Sequence, residues 1–204
     1  MLLEFEKLVR SYDPDFLIGY NIINFDLKYM LNRAAFLGMS RYGQLGRAVG
    51  KVSRLRKTTF QSKMMGNRDT EDINIDGRIQ LDLLIHMHRE HKLSSYSLNN
   101  VSYHFLRQQK EDVHYSEIAK LHRGSMDQRK RLAIYCLKDA ELPLNLMEKL
   151  CCLYNYSEMA RVTGVPINYL LSKGQQIKVT SQLLRKAKAH NFIMPHETSK
   201  ASTG

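Results

Sequence analysis

The chain changes character at residues Gly19-Tyr20-Asn21-Ile22-Ile23-Asn24-Phe25-Asp26. An apolar run from Phe16 to Ile18 precedes this stretch, and a segment with the apolar spacing of a helix, from Phe25 to Leu37, follows it. The pattern predicts a strand that turns into a helix. Asn24 is the expected N-cap, and Asp26 falls in the first helical turn, where the helix dipole favours a carboxylate.

Asp26 has two interpretations at this position. Acids are common at helix starts for the electrostatic reason just given, and such an acid needs no further role. An acid at the end of a strand can also face the cleft beside a sheet and bind a metal ion there. The stretch alone favours the first interpretation, so the second requires a partner acid from elsewhere in the chain.

Composition limits the class of protein. The 204 residues, of which 43% are hydrophobic, suffice for one large domain with a buried core. No apolar run approaches the roughly 20 residues of a membrane span, and the first residues lack the pattern of a signal peptide. We therefore expect an intracellular protein without membrane contact, in which Cys136, Cys151 and Cys152 are reduced.

The net charge of +11 comes mainly from one segment. Between Leu27 and Arg68 there are ten Lys and Arg residues and neither Asp nor Glu. Because a field of one sign attracts polyanions, this segment favours nucleic-acid contact over a merely solvated basic face. Extended segments at Val52–Met64 and Asp72–Ile75, joined by Gly66-Asn67, predict a basic hairpin or loop insertion.

The rest of the chain is mostly helical in pattern. One strand is predicted from Arg78 to Leu84. Caps, spacing and breakers predict helices at Leu2–Tyr12, Leu98–Leu106, Tyr115–His122, Asp127–Leu150 with a kink or break at Pro143, Ser157–Gly164 and Gln175–Ala189. A frayed tail is expected from His196.

A partner acid for Asp26 is found on the longest predicted helix. Tyr135 and Asp139 are four residues apart, so they face the same side of that helix. Two carboxylates from different elements can share a pair of Mg²⁺ ions, which prefer a few carboxylates together with phosphate oxygens and water. Two such ions about 4 Å apart activate a water and stabilise the leaving oxygen in phosphodiester cleavage. A phenol one turn before the acid can orient that water.

These motifs and their context resemble the 3′→5′ proofreading exonuclease region of the family B DNA polymerases. Gly19–Asp26 resembles the second exonuclease motif, and Tyr135–Ala140 the third. The other stretches that carry the resemblance are residues 13–15, 60–63, 66–70, 77–82, 95–106, 109–113 and 159–178. Together they extend over nearly the whole chain, to about residue 189.

The resemblance implies an α/β, ribonuclease-H-like 3′→5′ exonuclease fold with a helix-rich C-terminal half. It implies two-metal hydrolysis of a mispaired DNA 3′ end, with Mg²⁺, or Mn²⁺ as the alternative. Asp26 and Asp139 are then the metal ligands, and Tyr135 positions the attacking water.

The resemblance also assigns DNA contacts. Asn21 and Phe25 would contact the single-stranded 3′ terminus, and Ser97 and Leu98 would form a second contact to it. Base stacking on an aromatic ring and a hydrogen bond from an amide suit a frayed strand end.

At the level of the whole protein, the resemblance implies a nuclear DNA-directed DNA polymerase with exonuclease activity. It would act on a primer-template and bind accessory polymerase subunits. Residues 1–155 are predicted to be the exonuclease domain, and residues 156–204 the helical start of the polymerase part with a frayed tail.

One family motif has no match in this chain. The first exonuclease motif is an Asp-x-Glu on the first strand of the sheet, and neither Glu4 nor Glu6 fits it, because both lie in a helical pattern. We therefore expect a fold truncated at its N-terminal strands, and a chain that alone is inactive and marginally stable. The alternatives are a non-catalytic DNA-binding or assembly remnant, and an RNA-processing exonuclease of the same superfamily.

Three further features have weaker interpretations. His86, His88 and His91 suggest a metal site, although surface histidines are the better account of them. Asp82 stands at a strand-to-helix boundary, where capping of the next helix is commoner than metal binding. The basic residues of the last helix either contact DNA phosphates or form a solvated face.

Overall fold

The computed structural model describes residues 1–62, 66–111 and 113–195, and side chains are described throughout these ranges except at 57–62 and 66–72. Nine α-helices and four strands lie within the described ranges. In chain order these are α1 Leu2–Tyr12, β1 Phe16–Gly19, α2 Leu27–Phe36, β2 Leu55–Ser62, β3 Gly66–Ile73, β4 Ile79–Asp82, α3 Leu83–Glu90, α4 Leu98–Leu106, α5 Tyr115–Arg123, α6 Met126–Lys149, α7 Cys152–Thr163, α8 Ile167–Ser172 and α9 Gln176–Ala189. A π-helical turn, Ile22–Asp26, precedes α2.

Two pairs of strands form among the described residues. β1 and β4 pair in parallel, from Phe16 opposite Ile79 to Gly19 opposite Asp82. Because both strands run the same way, their carboxyl ends meet at one edge, and the π-helical turn and α3 both begin there.

The predicted basic hairpin is present as the antiparallel pair of β2 and β3. Gly66 and Asn67 were predicted to form its turn, but they pair with Ser62 and Gln61 inside the hairpin. The turn prediction is therefore wrong, and the connection falls on residues 63–65, outside the described residues. The same holds for the predicted tail from His196.

Ion pairs fix the other end of the parallel pair, where both strands begin. Arg78 is buried and donates to the Asp13 carboxylate at 2.9 Å and to the carbonyl oxygen of Leu45 at 2.7 Å. Arg47 donates to the same carboxylate at 2.8 Å. A guanidinium spreads several donors in a plane, so one side chain can join three segments. Val9, in α1, lies beside this junction and belongs to the buried core with Leu27, Leu45, Ile73 and Ile75.

The helix start predicted after β1 differs from the observed one. Asn24 was predicted as the N-cap, but the π-helical turn begins three residues earlier, after Asn21. Asn21 has φ 64° in the left-handed region, which asparagine tolerates better than most residues, and its carbonyl accepts from the Phe25 N–H at 3.0 Å. Asp26 consequently lies at the junction of the turn and α2, and not in the first turn of a helix capped by Asn24.

The π-helical turn approaches residue 19 so closely that only glycine fits there. This close approach gives a first prediction. A Cβ at residue 19 would lie 2.2 Å from Cγ2 of Ile22, a β-branched group that cannot swing away. Gly19→Ala is therefore expected to lower the free energy of unfolding by about 1–3 kcal/mol, the usual cost of overpacking. Urea denaturation followed by circular dichroism measures this.

The control for the Gly19 prediction is Gly174→Ala, where an added Cβ has no atom within 4 Å. It is expected to change stability by less than about 0.5 kcal/mol. The double variant Gly19→Ala/Ile22→Ala should recover part of the loss, because the clashing methyl is gone. Equal losses in the double and single variants would contradict the steric account.

The longest helix, α6, is continuous. Ser125 caps it in a reciprocal arrangement, with Gln128 N–H donating to Ser125 Oγ at 3.3 Å and Ser125 N–H donating to Gln128 Oε1 at 2.9 Å. The break predicted at Pro143 is absent, and Pro143 lies buried between Leu142 and Leu146 in the helix interior. Burial of this apolar face compensates for the one hydrogen bond that proline cannot make.

The chain forms two compact units, Met1–Cys151 and Cys152–Gly204. In the second unit α7 packs against α8 and α9. Ser157 was predicted to begin a helix here, but α7 starts at Cys152, which is buried with Tyr156 on its inner face. The division at residues 155 and 156, and the assignment of the later part to a polymerase, stay predictions. No helix in the described part of the chain is long and apolar enough to cross a membrane.

Candidate active site

The predicted site residues come from elements that meet at the carboxyl edge of the β1–β4 pair. Asp26 follows β1 through the π-helical turn, while Tyr135 and Asp139 lie on α6, which packs against β1. The Asp26 carboxyl keeps solvent contact, yet partial burial raises its pKa, and the negative charges of Asp82 and Asp139 raise this pKa further. The structure thus brings Asp26 within electrostatic range of Asp139.

Lys110 joins the two α6 residues. Its ammonium donates to the Tyr135 hydroxyl oxygen at 3.1 Å and to Oδ1 of Asp139, and it lies 4.7 Å from the centre of the Tyr135 ring. Burial lowers the pKa of Lys110, but its bonds and charge interactions with Asp139 and Tyr135 outweigh this effect, so the pKa is raised. Lys110 is therefore a fixed cation beside the predicted metal ligand.

The position of Lys110 is itself fixed. Its backbone N–H donates at 3.0 Å to Oδ1 of Asn99, in the first turn of α4. Lys110 lies in the stretch 109–113 that carried part of the family resemblance, but no role was predicted for it. A single lysine 25 residues before Tyr135 has no helical or strand spacing to either acid, so only the folded chain reveals the contact.

Asp82 ends β4 and is buried, with 4% of its surface exposed. Oδ1 accepts from the N–H groups of Asn21 at 2.8 Å and Leu84 at 3.0 Å, and Oδ2 accepts from the Ile23 N–H at 3.2 Å. The capping interpretation of Asp82 is confirmed by the bond from Leu84, in the first turn of α3. The two bonds from the π-helical turn were not predicted.

The four predicted DNA contacts lie on two adjoining segments. Phe25 exposes 65% of its surface, and Asn21 is half-buried at the start of the turn. Ser97 caps α4, accepting from Asn100 N–H at 3.3 Å, and Leu98 follows it. The structure brings the segments together through Tyr20, next to Asn21.

The Tyr20 hydroxyl makes this link directly. It donates at 2.6 Å to the carbonyl oxygen of Tyr96, the residue before Ser97. Burial, together with the nearby Asp82 and Tyr96, raises the pKa of Tyr20, so its hydroxyl keeps the proton that it donates. The two segments predicted to contact DNA are therefore held to each other by a partly buried hydrogen bond.

A divalent cation suits Asp26 and Asp139 as a pair. Burial is the main reason that the pKa of Asp26 is raised, and the charges of Asp82 and Asp139 add to it; a cation shared with Asp139 would offset these negative charges. Mg²⁺ needs only one or two carboxylates when phosphate oxygens and water complete its ligands. Among the described residues no group of three His, Cys, Asp or Glu side chains is arranged to hold a metal ion.

The histidines after Asp82 do not form a metal site in the described part of the chain. His86 was predicted at the surface but is buried with 8% exposed, its ring 6.1 Å from that of His91. His91 lies just past the end of α3, which lets it approach His86 in a way that helical spacing excludes. His88 stacks on Tyr96 at 3.9 Å between ring centres. The rings serve packing around α3.

The raised pKa of Asp26 gives a second prediction. Above its ordinary pKa the unfolded chain releases this proton more readily than the folded chain, so the stability of the folded state falls as pH rises. Asp26→Asn removes the charge and is expected to raise the free energy of unfolding of the metal-free chain at about pH 7. The gain should stay below about 1 kcal/mol, because solvent screens a carboxyl that is not fully buried.

Thermal denaturation at about pH 7 and about pH 3 tests the Asp26 prediction. The gain should vanish at the lower pH, where the wild-type carboxyl is protonated. Asp127→Asn, an exposed acid in the first turn of α6, is the matched control and should show no gain. A loss of stability in Asp26→Asn at neutral pH would contradict the electrostatic account.

Comparison with known proteins gives matches over the whole chain. Residues 1–101 match the profile of the family described as DNA polymerase family B, exonuclease domain. The DNA polymerase delta catalytic subunit of Arabidopsis thaliana is 54% identical over 202 residues, and that of Drosophila melanogaster 55% identical over 202 residues. The subunit of Schizosaccharomyces pombe is 56% identical over 196 residues.

These alignments cover nearly all of this chain but a small part of each relative. They extend over 99%, 99% and 96% of this chain, respectively. In each case the chain spans 18% of the relative's length. The matched segment in these relatives includes the positions of both predicted acids, Asp26 and Asp139.

Proposed function

Because this chain belongs to the family B DNA polymerases, with residues 1–101 matching their exonuclease domain, we propose that it is the proofreading segment of a replicative polymerase. It would remove mispaired nucleotides from a DNA 3′ end by hydrolysis that depends on a divalent metal ion. The observation that carries the proposal is the contact of Lys110 with both Tyr135 and Asp139 on α6, which packs against β1, together with the effect of the Asp139 charge on the pKa of Asp26. We assign the first unit to the ribonuclease-H-like fold on the same grounds.

Asp26 and Asp139 are the residues that would hold the ion, Mg²⁺ first and Mn²⁺ as the alternative. When bound, a divalent ion supplies an acidified water and offsets charge on the phosphate oxygens. The chain's own contribution is to hold two carboxylates close together from different elements. Burial first, and then the charges of Asp82 and Asp139, raise the pKa of Asp26, and a bound cation would offset this cost of the ionised carboxylate.

Tyr135 is assigned the orientation of the attacking water. The Lys110 ammonium donates to the phenol oxygen, which leaves the phenol O–H free to act as a donor. Lys110 thereby fixes both the Tyr135 hydroxyl and one oxygen of Asp139. A catalytic group that is held in one rotamer loses less entropy at the transition state.

We assign binding of the DNA 3′ terminus to the surface formed by the π-helical turn and the start of α4. Phe25 offers an exposed ring on which a terminal base can stack, and Asn21 a side chain that can bond to it. Ser97 and Leu98 would make the second contact to the DNA terminus, and the Tyr20–Tyr96 hydrogen bond holds their segment beside the π-helical turn. The part of the basic segment with described side chains, residues 27–56, would contact phosphates further along the strand.

The activity and partners of the whole protein are also proposals, because the chain spans 18% of its relatives' length. We place the chain in a nuclear polymerase that extends a primer-template and binds accessory subunits. A non-catalytic DNA-binding or assembly segment is the alternative function. It keeps the basic surface but does not use the acids.

The experiment uses a chimaeric subunit, in which this chain replaces the aligned 202-residue segment of the Drosophila melanogaster relative. With Mg²⁺ it should shorten a primer that carries a mispaired 3′ nucleotide, and a chelator should stop the reaction. Primer extension by the same preparation shows that the subunit is folded. Extension without excision would favour the non-catalytic alternative, and faster excision from RNA 3′ ends would favour an RNA-processing role.

A further inference from the structure

We propose that Asp82 is a positioning residue that holds the π-helical turn in place for the reaction at Asp26. The inference rests on the proposed function and adds to it a residue that binds neither the substrate nor the metal ion. Asp82 would act through two backbone N–H groups, those of Asn21 and Ile23, while it caps α3 through a third.

The need for such a residue follows from the turn itself. The first N–H groups of any helical turn have no partner within it and require an external acceptor. Asn21 occupies the N-cap position of the π-helical turn but makes no side-chain cap bond. Asp82 supplies the acceptor from 61 residues away in sequence, beside the end of β1. One carboxylate therefore caps two helical segments that begin at the same sheet edge.

The three N–H groups also explain how a charge is tolerated there. Asp82 is buried, and no Lys or Arg side chain among the described residues forms an ion pair with it. A buried carboxylate is costly unless charge-assisted hydrogen bonds replace its hydration. Because both oxygens of Asp82 already accept from the backbone, Asp82 has a different task from Asp26 and Asp139, the predicted metal ligands.

The position of the turn matters because of what it carries. Asn21 holds a left-handed backbone conformation, which persists only when its surroundings enforce it. Phe25, a predicted DNA contact, and Asp26 follow Asn21 within five residues. A shift of about 1 Å in a group that positions the reaction can slow it about a hundredfold. Release of the Asn21 and Ile23 N–H groups is expected to produce a shift of this kind.

Two variants separate this role from helix capping. Serine caps helices as well as aspartate does, but its side chain is too short to reach the π-helical turn. Asp82→Ser is therefore expected to keep the hydrogen bond from Leu84 and to remove those from Asn21 and Ile23. Asp82→Asn retains the Oδ1 acceptor and replaces only the Oδ2 acceptor, which takes the Ile23 bond. If capping of α3 were the whole role, both variants would behave as wild type.

The first measurement is amide hydrogen exchange by NMR on the 204-residue chain. In Asp82→Ser, exchange at Asn21 and Ile23 should accelerate at least tenfold relative to exchange at Leu84. In Asp82→Asn the acceleration should be confined to Ile23. Equal acceleration at all three amides in Asp82→Ser, or none at Asn21 and Ile23, would overturn the proposal.

The second measurement is excision of a mispaired 3′ nucleotide by the chimaeric subunit. Asp82→Ser should slow excision about 10- to 100-fold at saturating DNA, with primer extension unchanged, and Asp82→Asn should recover part of the rate. A wild-type rate in Asp82→Ser despite faster exchange at Asn21 and Ile23 would overturn the positioning role. Failure of the unmodified chimaera to excise would instead overturn the proposed function, since the exchange result does not depend on activity.

Discussion

Replacing Asp139 with alanine is expected to slow excision of a mispaired 3′ nucleotide by the chimaeric subunit at least about a thousandfold. The reason is that a carboxylate that holds a catalytic cation contributes several kcal/mol to the transition state, and each 1.36 kcal/mol is a factor of about ten. Primer extension should remain near the wild-type rate. A gel assay of labelled primer-template at saturating DNA measures both activities in one preparation.

The matched control for Asp139→Ala is Asp127→Ala. Both acids lie on α6, but Asp127 is exposed in its first turn, three turns from the site. Its replacement should leave excision unchanged. Asp139→Ala also leaves the Lys110 ammonium without its carboxylate, so the amide spectrum of each variant must be compared with wild type. Excision within tenfold of wild type in a folded Asp139→Ala subunit would remove Asp139 from the mechanism.

Replacing Lys110 with methionine is expected to have opposite effects on two quantities. Excision should fall about 100-fold, the usual loss when one fixed donor is removed from a catalytic group. Binding of Mg²⁺ to the 204-residue chain should become tighter, because the ammonium competes with a cation for Asp139 and repels it. Methionine keeps a long flexible side chain in the half-buried site.

Calorimetric titration with Mg²⁺ and the excision assay together test the Lys110 prediction. Lys138→Met is the control, because Lys138 also lies beside this face of α6 but bonds to Gln108 and Glu141. It should alter neither quantity by more than about twofold. If Lys110→Met weakened both Mg²⁺ binding and excision, Lys110 would be a purely structural partner of Asp139.

Without a cation, the partial burial of Asp26 and the negative charges of Asp82 and Asp139 near it make the site a source of instability. Because its pKa is raised, ionised Asp26 lowers the stability of the folded chain at neutral pH. The stability that Asp26→Asn should gain is a measure of this loss. A cluster of acids that disfavours the folded chain is typical of a functional site, where activity and stability conflict.

Local pattern sufficed for much of the fold and for part of the site. The resemblance to family B exonuclease domains is confirmed. The apolar run from Phe16 to Ile18 located β1, a helical period located α1, and the four-residue spacing placed Tyr135 and Asp139 on one face of α6. The roles of these residues stay predictions, because a spacing identifies a shared face and not the group that faces it.

The remaining features depend on contacts between distant segments. The π-helical turn begins after Asn21, where Asp82 of another strand accepts from the N–H groups of Asn21 and Ile23, whereas cap rules read along the chain choose Asn24. Pro143 stays within α6 because packing of its neighbours outweighs one missing bond. Lys110 reaches Asp139 only through a loop anchored on Asn99. None of these outcomes has a local sequence signal.

Asp26 and Asp139 are proposed to form one cation site, and paramagnetic broadening by Mn²⁺ tests this pairing directly. Mn²⁺ would be added to the isotope-labelled 204-residue chain together with a deoxynucleoside 5′-monophosphate, which supplies phosphate oxygens. We predict that the amide signals of Asp26 and Asp139 broaden together, before signals elsewhere, and that Asp26→Asn abolishes both effects. Broadening around His86 and His91 with the signals of both acids unchanged would contradict the account.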